Sequence, residues 1–116
     1  MSEDAIRDVL NRYTEGTRTR DVAMLRSVFH AEAVMSGWLG PDYLMGGPQP
    51  FFDAIESNEV GPEYVSELGE IDIDGPIATG TVSERNLFGL NFTNHFHLTR
   101  QPNDSWLITA KLFRHA

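Results

Sequence analysis

The chain has 116 residues, 41% of them hydrophobic, and 17 Asp plus Glu against 9 Lys plus Arg, a formal charge of −8. That size suits one domain spanning residues 1–116, with apolar content enough for a packed core and against disorder. The acid excess without any basic stripe argues against nucleic-acid binding, no apolar run nears the ~20 residues of a membrane helix, and the lack of cysteine excludes disulfides and thiolate metal sites.

Residues 3–16 predict a helix, because Ile6, Val9, Leu10 and Tyr13 recur at the i, i+3, i+4, i+7 spacing of one helical face. Its opening, MSEDAIRDVL, is acidic and lacks the basic start and apolar stretch of a secretory signal. Together with the missing cysteine this points to the cytoplasm. Gly16 reads as a stop and Asp21 as the N-cap of a second helix. Val22, Leu25, Val28 and Phe29 form the buried stripe of that helix, and His30 follows as its C-terminal cap. A short extended piece, Ala33 to Ser36, comes next. The stretch SGWLGPDYLMGGPQP holds four glycines and three prolines and reads as a loop carrying Trp38 and Tyr43. Pro50 opens a third short helix through Ser57.

From Tyr64 the pattern changes to strands: YVSELGEIDID, IATGTVSERNLF, NFTNHFHLTR and SWLITAKLFRH, separated at Gly75-Pro76, Gly89 and Pro102-Asn103-Asp104. Helices first and a strand meander second predict an α+β fold, with the helices on one face of an antiparallel sheet. If Gln101 to Asp104 closes the last hairpin, Arg100 opposes Ser105 and directly opposed residues share a face. One face then carries Phe92, Asn94, Phe96 and Leu98 beside Phe113, Lys111, Thr109 and Leu107, with Asn94 opposite Lys111. The other carries Thr93, His95, His97 and Thr99 beside Leu112, Ala110, Ile108 and Trp106. An apolar face with Asn and Lys at its centre suits a wall closing over a cavity. The second face mixes aliphatic side chains with histidine and resembles a subunit contact.

His95 and His97 share a face at i, i+2 and invite a metal reading. Their cross-strand neighbours on this register cannot ligate, and zinc wants three or four protein ligands. No metal and no cofactor are expected.

The stretch YTEGTRTRDVAMLRSVFHAEAVMSGWLG resembles the N-terminal signature of the nuclear transport factor two-like superfamily: an aromatic on helix one, an Asp opening helix two, then Leu and Phe before an acidic-Ala turn into a strand. The end, FTNHFHLTRQPNDSWLITAKLFRH, resembles the closing hairpin of its subgroup called "putative lumazine-binding". The resemblance implies a cystatin-like cone, in which N-terminal helices pack in the concavity of a curved antiparallel sheet, with a pocket at one end and homodimers formed through the outer sheet face. It also implies a range of functions, from steroid isomerases, dehydratases and polyketide cyclases to binding domains. Carried over from the ketosteroid isomerases, the oxyanion-donating tyrosine falls at Tyr13 and the second donor, a protonated aspartate there, falls at Asn94. The catalytic aspartate falls at Gly37, which cannot abstract a proton. The dehydratases' paired histidines lie inside the pocket, whereas His95 and His97 are expected to face outward.

The expected ligand-binding residues are therefore Tyr13, Asn94 and Lys111 inside the cone, with Trp38 as a flat lid at its mouth. Desolvation would lower the pKa of a lysine placed there. The direction of Arg85 is not set by the pattern. The expected function is binding of a small molecule in an apolar cone-shaped pocket. The alternative is a cofactor-independent acid–base enzyme of the isomerase, dehydratase or cyclase type acting on a cyclic carbonyl compound. A third reading, a pure dimerisation module, requires the cone to be filled by side chains. The expected partners are a small-molecule ligand and a second copy of the chain, with no nucleic acid and no membrane.

Overall fold

The apolar stripe of the first helix extends past the expected stop. α1 runs Ser2–Thr19 and buries Ile6, Val9, Leu10 and Tyr13, together with Gly16 and Thr17. Gly16 sits inside it because Leu25 of the next helix packs where a Cβ would stand, 3.0 Å away. Asp21 caps α2 (Val22–Val28) as expected, its carboxylate accepting the Met24 amide at 3.0 Å. α3 spans Gln49–Ser57 with proline in its first turn, and buries Phe51, Phe52 and Ile55. His30 does not cap α2; it lies on the following strand, where its Nδ1 accepts the Glu32 amide. The computed structural model describes residues 2–115.

Six strands form one sheet: β1 (Phe29–Leu39), β2 (Asp42–Gly46), β3 (Val65–Asp74), β4 (Ile77–Leu87), β5 (Leu90–Arg100) and β6 (Trp106–His115), in the order β2-β1-β6-β5-β4-β3. The pairs are antiparallel except β1 with β6, so the sheet is mixed. α1 and α2 lie on its inner face, where the core joins Tyr13, Leu25 and Ile55 to Val82, Phe96, Leu98, Trp106 and Ile108. Four of the strand pairings contain register shifts. Such bulges bend strands, here around the helices. The three helices on a curved sheet are the expected α+β cone.

Two further expectations about local structure are corrected. The glycine-rich stretch after Ser36 is not a loop but the β1–β2 hairpin, pairing Trp38 with Tyr43 and Leu39 with Asp42. Its glycine serves the turn: Gly40 takes φ +61, a value that glycine adopts without a Cβ clash. The β5–β6 register also differs. Gln101 donates to the Ser105 carbonyl at 2.7 Å, so Arg100 opposes Trp106 rather than Ser105. A bulge then follows, since Leu98 opposes Ile108 while His97 opposes Ala110 and Thr109 is left over. The Thr109 hydroxyl is held by the His97 carbonyl at 3.2 Å. Trp106 and Ile108 consequently turn into the core, and Ile108 cannot belong to an outer contact face. Past the bulge the parity is restored, and Lys111 and Phe113 share the inner face with Asn94 and Phe96. Lys111 opposes Phe96, and Asn94 opposes Phe113.

Candidate functional site

The inner faces of β1, β2, β4, β5 and β6 do not meet α3 everywhere. A cavity of about 340 Å3 remains between them. Met35, Leu39 and Leu44 from the hairpin, Phe51 and Ala54 from α3, and Leu87, Phe92 and Phe113 give it apolar walls. Two charged side chains enter its lining, Glu84 from β4 and Lys111 from β6. Both are nearly inaccessible, at 1% and 3% exposure. The cone is hollow at this end, which removes the reading in which side chains fill it.

Glu84 is the hub of the polar groups. Its Oε1 accepts the Tyr13 hydroxyl at 3.2 Å and the Asn94 amide at 2.6 Å, and its Oε2 accepts the Tyr64 hydroxyl at 2.6 Å. Asn94 also donates to the Val82 carbonyl at 3.1 Å, while its Oδ1 has no hydrogen-bond partner among the described residues. Charge-assisted bonds of this kind are shorter and stronger than neutral ones. They hold the carboxylate against α1, β5 and the start of β3. Burial first, and then the Glu84 charge, push the Tyr13 and Tyr64 hydroxyls well above the usual tyrosine range, so both stay donors.

Lys111 makes no hydrogen bond or ion pair with any described residue. Its ammonium lies 3.8 Å from the centre of the Phe51 ring and 4.9 Å from that of Tyr13. Those contacts are cation–π attractions, favourable when desolvated. Burial lowers its pKa to about 8, against the opposing pull of Glu84. Removal from water is thus the larger effect.

Of the four expected ligand-binding residues, Lys111 lines the cavity. Tyr13 and Asn94 stand behind it, both fully buried; Asn94 meets the lining through Glu84, and Tyr13 through Glu84 and through its ring beneath the Lys111 ammonium. Trp38 is elsewhere. Successive residues of a strand point to opposite faces. Because Met35 and Leu39 face the cavity, Trp38 faces out, 53% exposed and with its ring 5.3 Å from that of Tyr43. In place of the expected loop, a strand imposes alternation and turns Trp38 away from the cavity.

Glu84 and Tyr64 were missed. The signal was present for Glu84: Ala78, Gly80 and Val82 alternate with Thr79, Thr81 and Ser83, so the even positions face inward and Glu84 continues them. Arg85, one residue on, is exposed on the opposite side. Gly37 has no room for any side chain, since a Cβ there would lie 1.9 Å from the Phe113 carbonyl oxygen. Gly37, where the resemblance put the isomerase base, is thus closed to any side chain, and the carboxylate in the cavity lining is Glu84 of β4.

His95 and His97 are exposed on the outer face, opposite Leu112 and Ala110. Among the described residues no group of three or more His, Cys, Asp or Glu is arranged to hold a metal ion. No described helix is long and apolar enough to cross a membrane.

The model of a family described as "Putative lumazine-binding" matches residues 1–114. No curated protein matches the chain. An NTF2-like protein of unknown function from Shewanella baltica OS155 superposes with a TM-score of 0.91, is 26% identical, and is matched over 99% of this chain and 94% of its own. An NTF2-like protein of unknown function from Methylobacillus flagellatus KT gives 0.90 at 24% identity, over 99% and 92%. A ketosteroid isomerase-like protein from Erwinia carotovora atroseptica SCRI1043 gives 0.72 at 15%, over 97% and 94%.

Proposed function

The chain belongs to the family described as "Putative lumazine-binding", and from that premise we propose that its cone binds a small, largely apolar molecule whose polar end meets Lys111 and Glu84. One observation carries this reading: a cavity of about 340 Å3 with apolar walls and a buried ammonium that pairs with no described residue. Apolar walls with few convergent polar groups are the usual make-up of a small-molecule site. Tyr13, Asn94 and Tyr64 act one step back, orienting the Glu84 carboxylate. Trp38 has no part in it. Titration with lumazine and with 2-methylnaphthalene, followed by their own fluorescence, tests the reading. Saturable binding of either, weakened at least tenfold in Leu87→Trp, which fills the cavity, is the expected result. Binding of neither ligand sinks the proposal.

The acid–base alternative is favoured by a single feature, the placement of a carboxylate and an amine in one apolar wall. Glu84 would then move the proton and Lys111 would polarise a ligand oxygen.

A homodimer through the outer sheet face is the second part of the proposal. Val34, Trp38, Tyr43 and Leu112 are exposed there beside His95 and His97. Burying such a face gains ~25 cal/mol per Å2. Sedimentation at micromolar concentration should give a dimer for the native chain and a monomer for Leu112→Asp. A native monomer refutes this arrangement.

A further inference from the structure

Lys111 is the sole lysine of the chain; the eight other basic side chains that make up its cations at neutral pH are arginines. Lysine is ordinarily among the most exposed residue types. Here it is 3% exposed, at the wall of an apolar cavity, with aromatic faces for neighbours and no ion pair with any described residue. If only a positive charge were required there, arginine would hold it more securely, being less strongly hydrated and never deprotonated. What lysine alone adds is a primary amine that can give up its proton and become a nucleophile.

We propose that Lys111 captures a small apolar aldehyde or ketone as an imine inside the cavity. This rests on the reading of the cavity as a ligand site and names the chemical class of its ligand. The neutral amine nitrogen attacks the carbonyl carbon and a C–N bond forms. A proton passes from nitrogen to oxygen to give the carbinolamine. The oxygen then leaves as water, taking the second nitrogen proton, and a C=N bond remains. No oxidant or reductant is needed. Three features of the site favour this sequence. Burial brings the amine to a pKa of about 8, so a usable fraction is neutral near pH 7. The walls formed by Met35, Leu87, Phe92 and Phe113 disfavour the return of water. Glu84, held by Tyr13, Tyr64 and Asn94, lies in the same lining as counter-charge to a protonated imine.

The test uses the full chain with a lysine-free tag, naphthalene-2-carbaldehyde as probe, and sodium cyanoborohydride to reduce any imine in place. Peptide mapping by mass spectrometry should find one naphthylmethyl group on Lys111, approaching one per chain. Excess 2-methylnaphthalene, which lacks the carbonyl, should lower labelling of Lys111 at least tenfold and leave the N-terminal amine unaffected. In Lys111→Arg, a conservative replacement, labelling should fall to the N-terminal amine alone. Binding of 2-methylnaphthalene without any adduct on Lys111 overturns the imine and spares the cavity reading. Labelling of Lys111 that 2-methylnaphthalene does not reduce also overturns it, because the reaction then lies outside the cavity. If neither compound nor lumazine binds and Lys111 stays unlabelled, both readings fall; lumazine binding without an adduct on Lys111 overturns the imine alone.

Discussion

Glu84→Ala is expected to lower the unfolding free energy by about 3–5 kcal/mol, read from urea denaturation at pH 7. The carboxylate is the acceptor for three buried donors, two tyrosine hydroxyls and one amide. Truncation leaves all three without this acceptor, where water has little access. Each orphaned group carries a desolvation penalty of about 1–3 kcal/mol. The buried ammonium of Lys111 would also lose the one opposing charge that acts on it. Because an ordinary domain is stable by only 5–15 kcal/mol, the variant should be folded only at low temperature or with ligand present. Glu84→Gln should cost less, since its amide oxygen keeps one acceptor. A loss below about 1 kcal/mol for the alanine variant would show that the network does not hold this end of the cone together.

Lys111→Met is expected to move stability the other way, by about 1–3 kcal/mol at pH 7. Methionine keeps most of the apolar stem against Phe51 and removes a charge that burial penalises more than Glu84 rewards. The pH dependence identifies the cause. The folded-state pKa of Lys111 is about 8, against 10.5 for the unfolded chain. Between these values the unfolded state binds more protons, so stability rises with pH through this window. Below pH 8 both states are protonated, the pH dependence vanishes and the full penalty of the buried charge is present. Above about pH 10 the buried tyrosines oppose the trend, because their raised pKa values favour unfolding once the unfolded phenols ionise. Between pH 8 and 10, therefore, the native chain should gain stability relative to Lys111→Met, and the difference between them should shrink. Urea midpoints at pH 7, 8, 9 and 10 measure this. A constant difference across that range would mean that Lys111 keeps its proton throughout and is not desolvated.

Much of the fold was legible in the sequence because it rests on short-range periodicity. The stripe of Ile6, Leu10 and Tyr13 defines α1, the Asp21 cap starts α2, and Pro50 opens α3. The four C-terminal strands appear as expected, between turns at Gly75 and Gly89 and at the Pro102 loop. Alternation along β5, read together with its hairpin partner, puts Asn94 inward and His95 and His97 outward, as the structure has them. Tertiary structure alone decided the rest. Whether the glycines near Trp38 make a loop or a hairpin depends on β6 offering β1 an edge to pair with, and pairing turned Trp38 away from the cavity. The Thr109 bulge cannot be read from one strand, since it is a mismatch between two; it sent Trp106 and Ile108 into the core while leaving Lys111 inside. Glu84 shows the limit most plainly. Its inward parity is written in β4, but a lone carboxylate on an apolar face reads as an exception. Only the convergence of Tyr13, Tyr64 and Asn94 from three distant segments supplies the donors that make its burial affordable.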